Sequence, residues 1–176
     1  MNFIDINVKN YFDLSRTSGL TEYMYLLTNL FDVSVYSAMV FICFAILIYL
    51  FRGIRYAVFF MTTLVSTAVL VYILKVIFDV SRPDGGVMFA FGQSFPSFHA
   101  TASAVFFIIL IYIFDDYLKS SVRFVFNFLC ILMIFAVSFS RIYLGVHWFS
   151  DVSVGVILGG AIVYVSIGIF RRFSLL

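Results

Sequence analysis

Five long apolar runs, almost free of charge, set the limits on what this chain can fold into. They are Val33 to Phe51, Tyr56 to Phe78, Ser97 to Phe114, Phe124 to Phe139 and Val152 to Phe170. Lys75 is the one lysine or arginine inside them. Each run approaches the roughly 20 residues that a helix needs to cross a bilayer. Charged residues make up 11% of the 176, where a soluble domain carries about 25%. The expected fold is therefore all-α, a polytopic membrane helix bundle of about five transmembrane helices. The third and fourth runs are short, so their ends are expected below the membrane surface.

The remaining segments divide the chain simply. Residues 1–32 mix apolar side chains with Asp5, Lys9, Asp13 and Arg16, which reads as an N-terminal interfacial amphipathic segment. Within it, Thr21 to Phe31 reads as a short helix capped by Thr21. Residues 33–170 form the transmembrane core, and 171–176 a short basic tail. No basic stretch followed by an apolar core opens the chain, so the first span is expected to direct targeting. Cys43 and Cys130 fall inside apolar runs and are expected to be buried, inert thiols. Orientation follows from the basic residues. Arg52, Arg55, Lys119, Arg123, Arg171 and Arg172 gather on one side, which predicts that side to be cytoplasmic. Lys9, Arg16, Lys75, Arg82 and Arg141 lie on the other, the last three beside the histidines. Five spans then place the N-terminus and the Asp79–Pro96 loop outside.

Three polar clusters fall on that outer face. The first is Lys75 with Arg82 and Pro83. Seven helical residues turn through about 700°, so the two cations share a face. Pro83 disfavours helix at Arg82, which lets it fold back towards Lys75 and a common anion. Snorkelling at a span end is the plain alternative. The second cluster is Pro96-Ser97-Phe98-His99, a helix start whose amides at Ser97 to His99 suit an anion. Ser97 serves equally well as a cap or as a donor to phosphate. The third is Ser140-Arg141 with His147 and Asp151. If the segment from His147 onward is helical, His147 and Asp151 are i and i+4 on one face, and the carboxylate orients the imidazole. An Arg141–Asp151 ion pair tethering two helices is the alternative there. Tyr143 and Trp148 read as interface aromatics. Gly155 and Gly159 read as a small-residue packing face. Taken together, both histidines, three cations and a carboxylate converge on one membrane face. The cations suit a phosphate, and two histidines suit a nucleophile and a general acid. The Cys, His and carboxylate residues lack the spacing of a metal site, so the cations would take over the charge neutralisation.

These residues resemble the type-2 phosphatidic acid phosphatase family, integral membrane lipid phosphatases whose core is shared with vanadium haloperoxidases. The family pattern is Lys-x6-Arg-Pro, Pro-Ser-Gly-His and Ser-Arg-x5-His-x3-Asp. Lys75, Arg82 and Pro83 match the first; Ser140, Arg141, His147 and Asp151 match the third. The second departs at Phe98, where glycine is usual. The resemblance covers about Asn29 to Phe170. It implies that His147 attacks phosphorus and forms a phosphohistidine, that Asp151 orients it, and that His99 protonates the leaving oxygen. Lys75, Arg82, Ser97, the Phe98 amide and Arg141 would hold the phosphate oxygens. It implies no metal or other cofactor, no nucleic-acid partner, and a site on the extracytoplasmic face of a bacterial-type plasma membrane. It also implies a lipid phosphate or diphosphate substrate, such as undecaprenyl diphosphate, phosphatidylglycerophosphate, phosphatidic acid or lipid A. The residue in place of glycine bears on substrate preference. A phosphotransferase on the same core and a non-catalytic lipid-binding protein are the competing readings. The oligomeric state is open.

Overall fold

The structure, a computed structural model, describes residues 2–32 and 34–174. The expected start of the first span at Val33 and the end of the basic tail lie outside the described residues. Seven α-helices follow one another: α1 (Phe3–Ser15), α2 (Ser18–Thr28), α3 (Val35–Arg52), α4 (Ile54–Phe78), α5 (Phe98–Phe114), α6 (Ser120–Tyr143) and α7 (Phe149–Ser174). A 3₁₀ turn, Asn29–Phe31, joins α2 to the residues before α3.

Among the described residues, α3, α4, α6 and α7 are long and apolar enough to cross a membrane. The 17 residues of α5 rise about 26 Å, a little short of a typical hydrocarbon core. That deficit matters little, because α5 is the central helix, packed against α4, α6 and α7. Ala100, Ala104, Val105, Ile109 and Ile113 are fully buried along it. Its neighbours supply the apolar surroundings that lipid would otherwise provide. The fourth span, expected to be short on the strength of the run from Phe124 to Phe139, is not short. Its helix has 24 residues and continues through Arg141, which is buried in the last turn and does not end the span.

Gly155 and Gly159 bring α7 onto α5. A Cβ at Gly159 would lie 2.7 Å from the Ala104 Cβ and 2.8 Å from the Thr101 carbonyl oxygen, and one at Gly155 would lie 3.0 Å from the Ser97 carbonyl oxygen. The small-residue face is therefore a packing face. At the other end of the bundle, Arg52 pairs with Asp116 at 2.7 Å and stacks over Tyr56. Gly53, at φ +88°, makes the tight joint between α3 and α4. Cys130 is buried, but Cys43 is exposed on the outer surface of α3, against expectation; one side of that helix faces away from the bundle.

The first two helices do more than lie across the bundle. Thr17, not Thr21, precedes α2. The Thr17 N–H donates to the Tyr143 hydroxyl at 2.9 Å, and Arg16 Nε donates to the Tyr143 carbonyl at 2.7 Å. Tyr143 and Trp148 are buried, not interfacial, and the Trp148 indole N–H donates to the Ser81 carbonyl at 2.8 Å. Each aromatic pins a loop. Asp5 is buried and accepts the Ser150 N–H at 2.8 Å and its hydroxyl at 2.9 Å, which caps the first turn of α7 from α1.

Candidate active site

The three sequence clusters meet where α4 ends, α5 begins and α6 passes into α7. Helix α4 stops at Phe78 because Asp79 takes the left-handed conformation, φ 44° and ψ 42°. The chain then turns back, and Lys75 and Arg82 reach one strip of backbone from two directions. Lys75 Nζ donates to the carbonyls of Gln93 at 2.7 Å and Ser94 at 3.1 Å. Arg82 donates to Phe91, Gly92, Gln93 and Val146 carbonyls. Both cations therefore meet at the Gln93 carbonyl, a backbone oxygen in place of the common anion expected from the spacing with Pro83, and neither merely snorkels.

Helix α7 starts at Phe149, so His147 precedes it and is not on its face. The pair forms all the same. Asp151 sits in the first turn of α7 and accepts the Trp148 N–H at 2.8 Å, which closes the turn back over His147. His147 Nδ1 lies 3.5 Å from Asp151 Oδ2. Ser94 stands between them. Its hydroxyl donates to Asp151 Oδ2 and lies 3.3 Å from His147 Nδ1. A hydroxyl that gives its proton to the carboxylate has only lone pairs left for Nδ1, so Nδ1 carries the proton. Nε2 is then the unprotonated nitrogen, 3.1 Å from Arg82 Nη1. Burial first, and then the charges of Arg82, Arg141 and Lys75, hold the His147 imidazole well below its ordinary pKa. That environment favours the neutral imidazole.

Ser97 does not cap α5. Its hydroxyl makes no helix-capping bond, and its buried oxygen has no partner among the described residues. The Ser97 N–H donates to the Asp151 carbonyl at 3.2 Å, so of the three amides expected to be free, those of Phe98 and His99 remain. The half-buried Phe98 ring packs against the bundle core and meets His99 edge-on, with ring centroids 6.1 Å apart.

Arg141 forms no ion pair with Asp151, so the tethering alternative falls. Its Nη1 donates to Thr28 Oγ1 at 2.6 Å and to the Met88 sulfur at 3.6 Å. Its buried Nε has no partner among the described residues. His99 has a carboxylate partner from far along the chain. Its Nε2 lies 2.7 Å from Asp32 Oδ1. That hydrogen bond first, with the charges of His99 and Arg141, holds Asp32 below the usual carboxylate range against the opposing effect of burial.

The sequence reading missed Ser94, Asp32 and Thr28. Ser94 lies three residues before Ser97 and looked like loop. Thr28 and Asp32 lie in the N-terminal interfacial segment, and only tertiary docking brings them in. Asp5 and Asp32 thereby join Asp151 among the acidic groups near the site.

A family profile described as the PAP2 superfamily matches residues 56–174. No curated protein sequence matches the chain significantly. Two solved structures share the fold. One is the transmembrane PAP2 type phosphatidylglycerolphosphate phosphatase from Bacillus subtilis, 23% identical, with a TM-score of 0.87 over 96% of this chain and 85% of that one. The other is LpxE from Aquifex aeolicus, 21% identical, with a TM-score of 0.74 over 96% of this chain and 99% of that one.

Proposed function

The chain belongs to the PAP2 superfamily, and from that premise we propose that it hydrolyses a lipid phosphate or diphosphate through a phosphohistidine on His147, without a metal. The observation that carries this reading is a pair of buried, unpartnered polar atoms, Ser97 Oγ and Arg141 Nε, in a site that also holds Lys75, Arg82 and His147. Buried donors of this kind cost free energy unless a ligand pairs with them, and a phosphate carries oxygens enough for all of them.

The chemistry follows from the tautomer. His147 Nε2 attacks phosphorus while Asp151 and Ser94 hold Nδ1–H. The phosphorus–oxygen bond to the lipid breaks, and its electron pair leaves with the oxygen, which takes a proton from His99. Lys75, Arg82, Arg141, Ser97 and the Phe98 amide spread the charge that develops on the phosphoryl oxygens. Water then attacks the phosphohistidine, and phosphate leaves. Arg82 donates to Nε2 before substrate arrives, so a bound phosphate must take over that donor. The solved relative from Bacillus subtilis suggests phosphatidylglycerophosphate; the resemblance to the lipid phosphatases adds phosphatidic acid, lipid A phosphate and undecaprenyl diphosphate. The site faces the extracytoplasmic side, as the distribution of basic residues argues.

The test is release of inorganic phosphate by the purified protein across a panel of lipid phosphates and diphosphates, with His147→Ala as the control. Release that the substitution abolishes supports the proposal. A phosphoryl group recovered on a second lipid would make the protein a phosphotransferase. Tight binding of lipid phosphates without turnover would make it a binding protein.

A further inference from the structure

Asp32 is 67 residues from its partner His99, yet it is held as firmly as a motif residue. Its N–H donates to the Asn29 carbonyl at 3.3 Å and closes the 3₁₀ turn. Its own carbonyl accepts the hydroxyl of Ser37, a buried residue of the α3 capping box. With the Asn29 amide nitrogen facing the carboxylate, that nitrogen donates to Asp32 Oδ2 at 3.0 Å. Oδ1 is left for His99 Nε2. Arg141 acts on Asp32 through its field, while its own hydrogen bonds go to Thr28 and Met88.

We propose that Asp32 is the positioning residue of the second histidine: it holds the proton on His99 Nε2, which makes Nδ1 the nitrogen that exchanges a proton with the reacting oxygens. The inference rests on the phosphatase reading and deepens it. In the first half-reaction the His99 imidazolium gives its Nδ1 proton to the leaving oxygen as the phosphorus–oxygen bond breaks. Neutral His99 keeps Nε2–H on Asp32. In the second half, Nδ1 takes a proton from water as the water oxygen bonds phosphorus. The phosphorus–nitrogen bond breaks, its electron pair returns to His147 Nε2, and the imidazolium is restored. The groups that face His99 are Asp32 from the turn before α3, Arg141 from α6, Arg82 from the loop after α4, and His147. Burial first, and then the two arginines, oppose a charged His99. Asp32 is the anion among these groups, so it alone supports the imidazolium that the acid step consumes. Each histidine then has its own carboxylate, Asp151 for the nucleophile and Asp32 for the acid.

A cavity of about 500 Å³ opens on the other side of Asp32 and is lined also by Tyr25, Asn29, Ser34, Tyr36 and Ser37.

The experiment compares Asp32→Asn and Asp32→Glu with the intact protein on phosphatidic acid in mixed micelles and on p-nitrophenyl phosphate, across the pH range of activity. Loss of a general acid's support costs on the order of 10²-fold with an alkoxide leaving group. Asp32→Asn should show that loss on phosphatidic acid and stay within a few-fold of wild type on p-nitrophenyl phosphate, whose leaving group barely needs a proton. The alkaline limb for phosphatidic acid should move to lower pH, because a less supported imidazolium deprotonates earlier. Asp32→Glu keeps the charge and should restore much of the rate; should Asp32→Asn not fold, the substrate ratio and alkaline limb of Asp32→Glu decide. Equal loss on both substrates, with an unmoved alkaline limb, would reduce Asp32 to an anchor for the 3₁₀ turn. Wild-type behaviour of both variants would remove it from the reaction. If wild type turns over neither substrate, or His147→Ala remains active, it is the phosphatase reading that fails.

Discussion

Ser97 donates its backbone N–H to the Asp151 carbonyl at 3.2 Å, so the helix that carries His99 and the helix that carries Asp151 are joined at their first turns. The joint needs the two helices to run very close below it, which the α7 glycines permit. Gly159→Ala places a methyl 2.7 Å from the Ala104 Cβ and 2.8 Å from a backbone oxygen, neither of which is a flexible tip. Overpacking of this kind costs about 1–3 kcal/mol. The variant should unfold at lower temperature and lose activity, because the two first turns separate. Gly160→Ala, with open space at its Cβ, is the matched control and should behave as wild type.

The two histidines should fail in different ways. His147→Ala removes the nucleophile, so no phosphoenzyme should be trapped from any substrate. His99→Ala should cost about 10² to 10⁴ in rate on a lipid phosphate and much less on p-nitrophenyl phosphate. A trapped phosphoenzyme in His147→Ala, with none in His99→Ala, would reverse the roles.

The environment of His147 sets the acid limb. Its folded pKa lies well below the ordinary imidazole value because of burial and the charges of Arg82, Arg141 and Lys75. As pH falls, Nε2 is protonated, and attack lost, only when the pH passes through that lowered value. The rate of phosphoenzyme formation should therefore hold well below the ordinary imidazole pKa of about 6.5. Quenched-flow trapping of the intermediate at several pH values would reveal it. A single limb near the ordinary value would mean a solvated, unperturbed imidazole.

Charge neutralisation by Lys75, Arg82 and Arg141 predicts activity that survives EDTA. Vanadate, which takes up a five-coordinate geometry like that of phosphorus in flight, should inhibit competitively. Activity lost in EDTA and restored by Mg²⁺ would show that an ion does what these side chains are assigned.

Sidedness is testable in intact cells. Phe89 is 77% exposed in the loop beside the site. Phe89→Cys, in a background with Cys43→Ser and Cys130→Ser, should react with an impermeant maleimide from outside. Gly86 is the wrong place for the label, since a Cβ there would meet the Gly145 carbonyl oxygen at 2.7 Å. Labelling only after lysis would put the site on the cytoplasmic side.

The apolar runs and the three motifs were legible because each is local: a run of side chains, or a spacing of a few residues. What stayed hidden depends on docking. Ser94 became part of the site only when the loop folded under Lys75 and Arg82 and set its hydroxyl against Asp151. Asp32 and Thr28 entered because the 3₁₀ turn lays the N-terminal segment against α5 and α6. Arg141 looked like the end of a span because a charge is costly in lipid. It lies inside a helix because it faces Thr28 and the site, not lipid. The His147–Asp151 spacing pointed to the right pair through the wrong geometry, since a capped first turn rather than a continuous helix brings the two together.

The Asp5–Ser150 contact has a consequence for how the molecule is made. The carboxylate emerges from the ribosome with the first helix, and its partner 145 residues later with the last. Until then a carboxylate that ends buried has neither of its Ser150 donors. The end of the bundle that holds the histidines is thus the seam at which the chain closes on itself. Anything that delays insertion of the last helix leaves that seam open.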